Sequence, residues 1–187
     1  MASATREVEL SIDRLFTYAA WADKFDGAVH GAPIRGVALA MNEPVGIIGM
    51  ICPDENPLLG LVSLIAPALA MGNVVVAIPS EPFPLSATDL YQVFETSDLP
   101  NGVVNLITAK HAEVAESLAG HMELDAVWYF GSSGLSGAIE KASATNLKRT
   151  WVNHGFARDW FDPMQGEGKA FLSQATEVKN VWIPYGE

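Results

Sequence analysis

The spacing of apolar residues changes several times along the chain. Over residues 8–24, Val8, Ile12, Leu15, Phe16, Ala19 and Ala22 recur at intervals of three and four, which predicts an amphipathic helix closed by Gly27. Residues 28–42 carry Gly31, Pro33 and Gly36 between short apolar runs and read as a loop or hairpin. Residues 45–51 form an unbroken apolar run of strand length. Pro53 and Pro57 bracket a turn, and residues 58–71 follow as a largely apolar helix, expected to kink at Pro67 and to end at Gly72 and Asn73. The β-branched run 74–78 has the character of a strand buried on both faces of a parallel sheet.

The alternation continues. A helix is predicted over 86–96, a strand over 103–107, a helix over 111–119 and a strand over 126–130; a Gly/Ser loop then opens a helix over 133–144, and a strand covers 147–152. Strand and helix in turn, with crossovers long enough for parallel pairing, predict an α/β protein with a doubly wound sheet. Beyond Val152 the pattern becomes aromatic and aperiodic until a short helix at 168–175. A last strand runs over residues 178–185, from Val178 to Tyr185. The preceding sheet has no evident place for it, so it is expected to add to an exposed edge in another region or in another subunit. The chain thus divides into residues 1–42, 43–152 and 153–187.

Composition narrows the classes. With 49% hydrophobic residues, 18% charged residues and a net charge of −11, collagen, low-complexity disorder and disulfide scaffolds are excluded. The acidic balance and the scattered basic residues speak against nucleic acid and anionic membrane as partners. The longest apolar stretch, 57–71, is broken by Ser63 and Pro67 and falls short of the ~20 residues that span a bilayer. One cysteine, no zinc-type Cys/His spacing and no apolar leader segment predict a cytoplasmic protein without metal.

Candidate chemistry is sparse. Asp54, Glu55, Glu81 and Asp89 fall near predicted strand ends, where open α/β sheets bind ligands, although each taken alone reads first as a helix cap or a solubilising charge. Cys52 ends an apolar strand with no basic neighbour to activate it and reads as a small buried hydrophobe. His30, His111, His121 and His154 show neither triad nor metal-ligand spacing. Gly131-Ser-Ser-Gly134-Leu-Ser-Gly137 follows a strand and opens a helix, a place that attracts phosphate, but its spacing is not that of the dinucleotide fingerprint.

Several collinear runs together resemble the cofactor-binding half of the aldehyde dehydrogenase superfamily. They are Tyr18-Ala-Ala-Trp-Ala-Asp-Lys24, Glu43-Pro-Val-Gly-Ile-Ile-Gly49, the Ala66 to Asn73 run, Ile78-Pro-Ser-Glu81, the Pro100 to Asn105 run and Tyr129-Phe-Gly-Ser132. The resemblance covers roughly residues 10–152 and implies a Rossmann-like, mostly parallel sheet with flanking helices. The tail resembles the end of the noncatalytic second half of family 16 of these enzymes, and a related degenerate domain occurs in some proline utilisation A proteins. Carried over residue by residue, the resemblance assigns NAD contacts to Glu81, Gly131 and Ser132, and to the strand-end backbone at Ile51 and Pro53.

The departures bear on activity. Glu55 stands where the family places the asparagine that stabilises the oxyanion, and a carboxylate there repels developing negative charge. Ile78 replaces the lysine of the ribose clamp, and Phe130 replaces a small threonine. Asn153 replaces the general-base glutamate with an amide that takes up no proton at neutral pH. The resemblance ends before the part of the family that carries the nucleophilic cysteine, and no Gly-Gln-x-Cys segment occurs in the chain. The expectation is a catalytically inactive domain with an assembly role, pairing with itself or with an active aldehyde dehydrogenase module in part through residues 178–185. The alternative is a vestigial NAD-binding module, or one fragment of an NAD-dependent enzyme completed by a catalytic region.

Overall fold

The computed structural model describes residues 2–185. Its elements in chain order are α1 (Ala2–Trp21), β1 (Ala28–Gly31), β2 (Gly36–Pro44), β3 (Ile47–Ile51), α2 (Pro57–Ala70), β4 (Val74–Ile78), α3 (Leu85–Glu95), β5 (Val104–Leu106), α4 (His111–Gly120), β6 (Ala126–Tyr129), α5 (Ser133–Ser143), β7 (Arg149–Val152), α6 (Pro163–Gly166), α7 (Lys169–Gln174) and β8 (Thr176–Pro184). Helix α2 runs as one element through Pro67.

Strands β3 to β7 form a parallel sheet in the order β5-β4-β3-β6-β7. The chain winds outward from β3 to β5, then returns to place β6 on the other side of β3. The strand order therefore reverses between β3 and β6, the switch point at whose carboxyl ends open α/β sheets leave a crevice. The predicted Rossmann-like α/β class is observed.

Side chains alternate between the two faces of this sheet. Ile48, Met50, Val75, Ala77 and Trp128 point into one core, shared with α1, α2, α3 and α7. Ile51, Ile78, Val127 and Tyr129 point into the other, shared with α4 and α5. These strands read as continuous apolar runs because both of their faces are covered.

Helix α1 corrects one expectation. Much of its predicted stripe faces outward, with Val8, Ile12 and Phe16 exposed, Phe16 at 74%, while Leu15 alone of the larger stripe residues is partly covered by the core. The buried face is instead Ser11, Arg14 and Tyr18, with Leu10 and Trp21 partly covered, packed on α2. Two faces of this helix repeat at helical spacing. The inward one was obscured because it carries an arginine whose partners, Ser63, Trp160 and Glu167, lie far away in sequence.

The second sheet is antiparallel, in the order β1-β2-β8. The segment read as loop or hairpin is the β1–β2 hairpin, and the terminal strand lies beside β2 in full register, from Gly36 opposite Pro184 to Pro44 opposite Thr176. The last strand thus finds its edge in the N-terminal segment of the same chain. Arg149, on β7, donates through Nη1 to the Thr176 carbonyl at 2.7 Å and ties the start of β8 to the edge of the main sheet.

Candidate functional site

The sequence-predicted residues gather at the carboxyl edge of the parallel sheet. Ile51 ends β3 and is fully buried, with its register partners Ile78 on β4 and Tyr129 on β6. Pro53 follows two residues later and is buried beneath the first turn of α2. Gly131 and Ser132 leave β6 directly across the switch point, and Glu81 lies one strand away, after β4.

Each turn has a local cause. A Cβ on Gly131 would stand 2.7–2.8 Å from the hydroxyl end of Tyr129, so a larger residue there would have to displace that side chain. The Tyr129 hydroxyl donates to the Ser132 carbonyl at 2.8 Å, and burial raises the phenol above its ordinary pKa. Ser132 precedes α5 in extended conformation without capping it through its side chain. Asp54 links the two neighbouring turns by accepting from the Glu81 amide at 2.9 Å and from the Ser80 hydroxyl at 3.3 Å. Glu81 in turn accepts from the His111 amide at 3.0 Å through Oε2 and so caps α4, while the His111 ring lies 2.9 Å from the Pro79 carbonyl. Oε2 of Glu81 is therefore engaged in holding the fold.

The two substituted positions face opposite sides of the sheet. Ile78 sits in the core beneath α4 and α5. The Phe130 ring turns into the other core, 4.9 Å from Trp151 and 5.5 Å from Trp160 between centroids, and is 1% exposed. Phe130 therefore does not crowd the Gly131 turn. The switch-point edge retains glycine, a helix start and a carboxylate, which fits a dinucleotide in part; the apolar Ile78 supplies no donor where a ribose clamp would have one.

Catalytic groups of the aldehyde-oxidising kind are not brought together among the described residues. Cys52 is buried, and burial pushes its thiol far above the ordinary range, the opposite of an activated nucleophile. Asn153 spends its side chain on its own turn, donating to the Phe156 carbonyl at 3.1 Å and accepting from the Gly155 amide at 3.2 Å. Glu55 is exposed, and Asn56 takes a left-handed conformation with φ 52° before α2. That helix start is capped from outside, by Glu7 of α1, whose Oε1 accepts from the Leu58 and Leu59 amides at 2.9 and 3.1 Å. Glu7 was not found by sequence reasoning, because a cap supplied from 51 residues away leaves no local pattern. Among the described residues no group of His, Cys, Asp or Glu could hold a metal ion, and no helix is long and apolar enough to cross a membrane.

Comparison with known proteins accounts for this edge. The model of the aldehyde dehydrogenase family matches residues 1–157. The chain belongs to the aldehyde dehydrogenase family. It is 36% identical over 150 residues to an aldehyde dehydrogenase of Agaricus bisporus, and 37% identical over 139 residues to the NADP/NAD-dependent aldehyde dehydrogenase PuuC of Escherichia coli; these matches cover 80% and 74% of this chain. Among solved structures, a lactaldehyde dehydrogenase aligns over 78% of this chain with a TM-score of 0.74 and 27% identity. A Staphylococcus aureus betaine aldehyde dehydrogenase in complex with NAD+ aligns over 76% with a TM-score of 0.70 and 32% identity. The chain spans about 30% of the length of these relatives and corresponds to the Rossmann-like, NAD-binding half of the family. The matched region stops at residue 157, so α6, α7 and β8 lie beyond it.

Proposed function

We propose that this chain works as a part: an aldehyde dehydrogenase segment without oxidative chemistry of its own, which assembles with itself or with a polypeptide carrying the catalytic half. The observation that carries this reading is the β1-β2-β8 sheet. Its strands expose Val29, Met41, Val178, Trp182 and Ile183, and the outer edges of β1 and β8 pair with no other described strand. A three-stranded sheet exposing that much apolar surface buries little by itself, and an open edge is a ready template for another strand. The tail's resemblance to the noncatalytic half of family 16 supports the same role, as do the occupied Asn153 and the buried Cys52.

Light scattering tests it. The chain is expected to form an oligomer, or a complex with an aldehyde dehydrogenase polypeptide. Placing lysines at Val178 and Trp182, whose side chains are exposed, is expected to dissociate it without unfolding the parallel sheet. A mass unchanged by the double substitution overturns the reading.

A second function, NAD binding, is favoured by the switch-point edge formed by Ile51, Pro53, Glu81, Gly131 and Ser132. Calorimetric titration with NAD is the test. Saturable heat lost in Glu81→Ala supports a cofactor-holding segment, and no heat leaves assembly alone. Aldehyde-dependent NADH production is expected only when a polypeptide with a nucleophilic cysteine is added.

A further inference from the structure

Outside the switch point, a half-buried arginine lies among aromatic rings. Arg158 lies in the turn after β7, half-buried, with its guanidinium 5.2–5.7 Å from the centroids of Phe130, Trp151, Trp160 and Phe171. Its Nη1 donates to the Gln165 carbonyl, and among the described residues no carboxylate lies within ion-pair distance of it. The nearby acids are engaged elsewhere: Asp159 accepts from the Phe161 amide at 2.9 Å, and Asp162 accepts from Met164 and Gln165 at 3.0 Å each. A half-buried guanidinium keeps part of its hydration, and the four aromatic faces supply part of what burial removes. Burial accordingly lowers its pKa.

Arg158 also lines an open cavity of about 380 Å³, with Trp151, Asn153, His154, Phe156, Ala157 and Met164 among the other lining residues. The pocket is open and mixed in lining, with polar side chains beside the aromatic ones, and its volume lies in the range of small-molecule sites. A planar guanidinium with free N–H groups matches a carboxylate better than a spherical anion, through paired charge-assisted hydrogen bonds.

We propose that the cavity between β7 and α6 is a binding site for a small organic carboxylate, with Arg158 holding the carboxylate and Trp151, Phe156 and Met164 covering its apolar body. The site is built wholly from residues of this chain and depends neither on assembly nor on NAD.

The test is calorimetric titration of the intact chain with benzoate, its neutral isostere benzamide and inorganic phosphate at fixed ionic strength, alongside tryptophan fluorescence. Benzoate is expected to bind saturably, with benzamide and phosphate each weaker by about tenfold or more, the effect of one lost charge-assisted contact. Arg158→Gln should abolish benzoate binding. Because Arg158 packs against the core, Ala157→Phe provides a second variant, which fills the cavity and leaves the guanidinium in place; it too should lose binding while melting like the parent. Absent benzoate binding, benzamide or phosphate binding as tightly as benzoate, or full binding in Ala157→Phe overturns the proposal.

Discussion

Arg14 is the residue whose replacement should damage this fold most for its size. It lies in the middle of α1, 3% exposed, donating to the Ser63 hydroxyl on α2 and to the Trp160 carbonyl in the tail, with its Nε 3.7 Å from the Glu167 carboxylate. One side chain thus joins the first helix, the central helix and the segment that closes the aromatic core. Arg14→Met keeps most of the aliphatic stem but leaves the two acceptors facing an apolar group. Removing one partner of a buried ionic network costs about 3–5 kcal/mol, and Glu167, at 27% side-chain exposure, can recover some hydration, so about 3 kcal/mol is expected. In a chain of this size each kcal/mol lowers Tm by about 2–4 °C, giving a drop of about 6–12 °C. Glu167→Gln leaves both acceptors in place and should cost about 1 kcal/mol or less. The double variant should recover little of the Arg14→Met loss, because that loss resides at Ser63 and Trp160. Urea unfolding at pH 7, paired with thermal scans, measures all three. A melting temperature for Arg14→Met within about 1 °C of the parent, or a Glu167→Gln loss as large as that of Arg14→Met, refutes the reasoning.

Other outcomes follow from single contacts. Glu7→Gln removes the charge capping α2 and should lower the urea midpoint by the equivalent of about 1 kcal/mol, with the slope m unchanged. Gly155 has φ +75° and its missing Cβ would stand 2.8 Å from the Ser133 amide nitrogen, so Gly155→Ala should cost about 1–3 kcal/mol; Gly137, open on α5, should gain about 0.5–1 kcal/mol as alanine by the same assay. Burial raises the pKa of Cys52 and Tyr18 from ordinary values of 9.0 and 10.0. The unfolded chain therefore ionises first, and the stability these groups hold below those values is lost as pH rises past them. Lys148 works oppositely: its pKa is lowered from 10.5, so stability is gained as pH climbs through the interval beneath that value. Urea midpoints should fall above pH 9, and Cys52→Ala should remove the first part of the fall; a slope unchanged by that substitution contradicts the assignment.

The parallel sheet was readable because its order follows from alternation alone. The runs at 74–78 and 126–130 are apolar on successive positions because both faces are buried, and observed strands differ from expected ones by no more than two residues at an end. At the switch point, Glu81 and the Gly131 turn were marked by their places at strand ends, whereas Ile51 and Pro53 came only through the resemblance. What the spacing could not show is the Tyr129 side chain folding back against Gly131. The contacts of Glu7, Arg14 and Arg158 were illegible for one physical reason: each meets a partner that only the tertiary fold brings near, so neither period nor local motif records it.

Helix α1 carries that argument furthest. A helix with apolar residues at 8, 12 and 16 satisfies the rule for an inward stripe, yet the buried stripe runs through 11, 14 and 18 and includes a charge. Periodicity reports that some face of a helix is apolar, and it cannot say which of two faces meets this particular core. The chain spans about 30% of its relatives, and both the exposed apolar residues of α1 and the open β1-β2-β8 sheet lie on its surface. The same excess of exposed apolar surface that misleads a reading of α1 is therefore what supports the proposal that this chain works as a part.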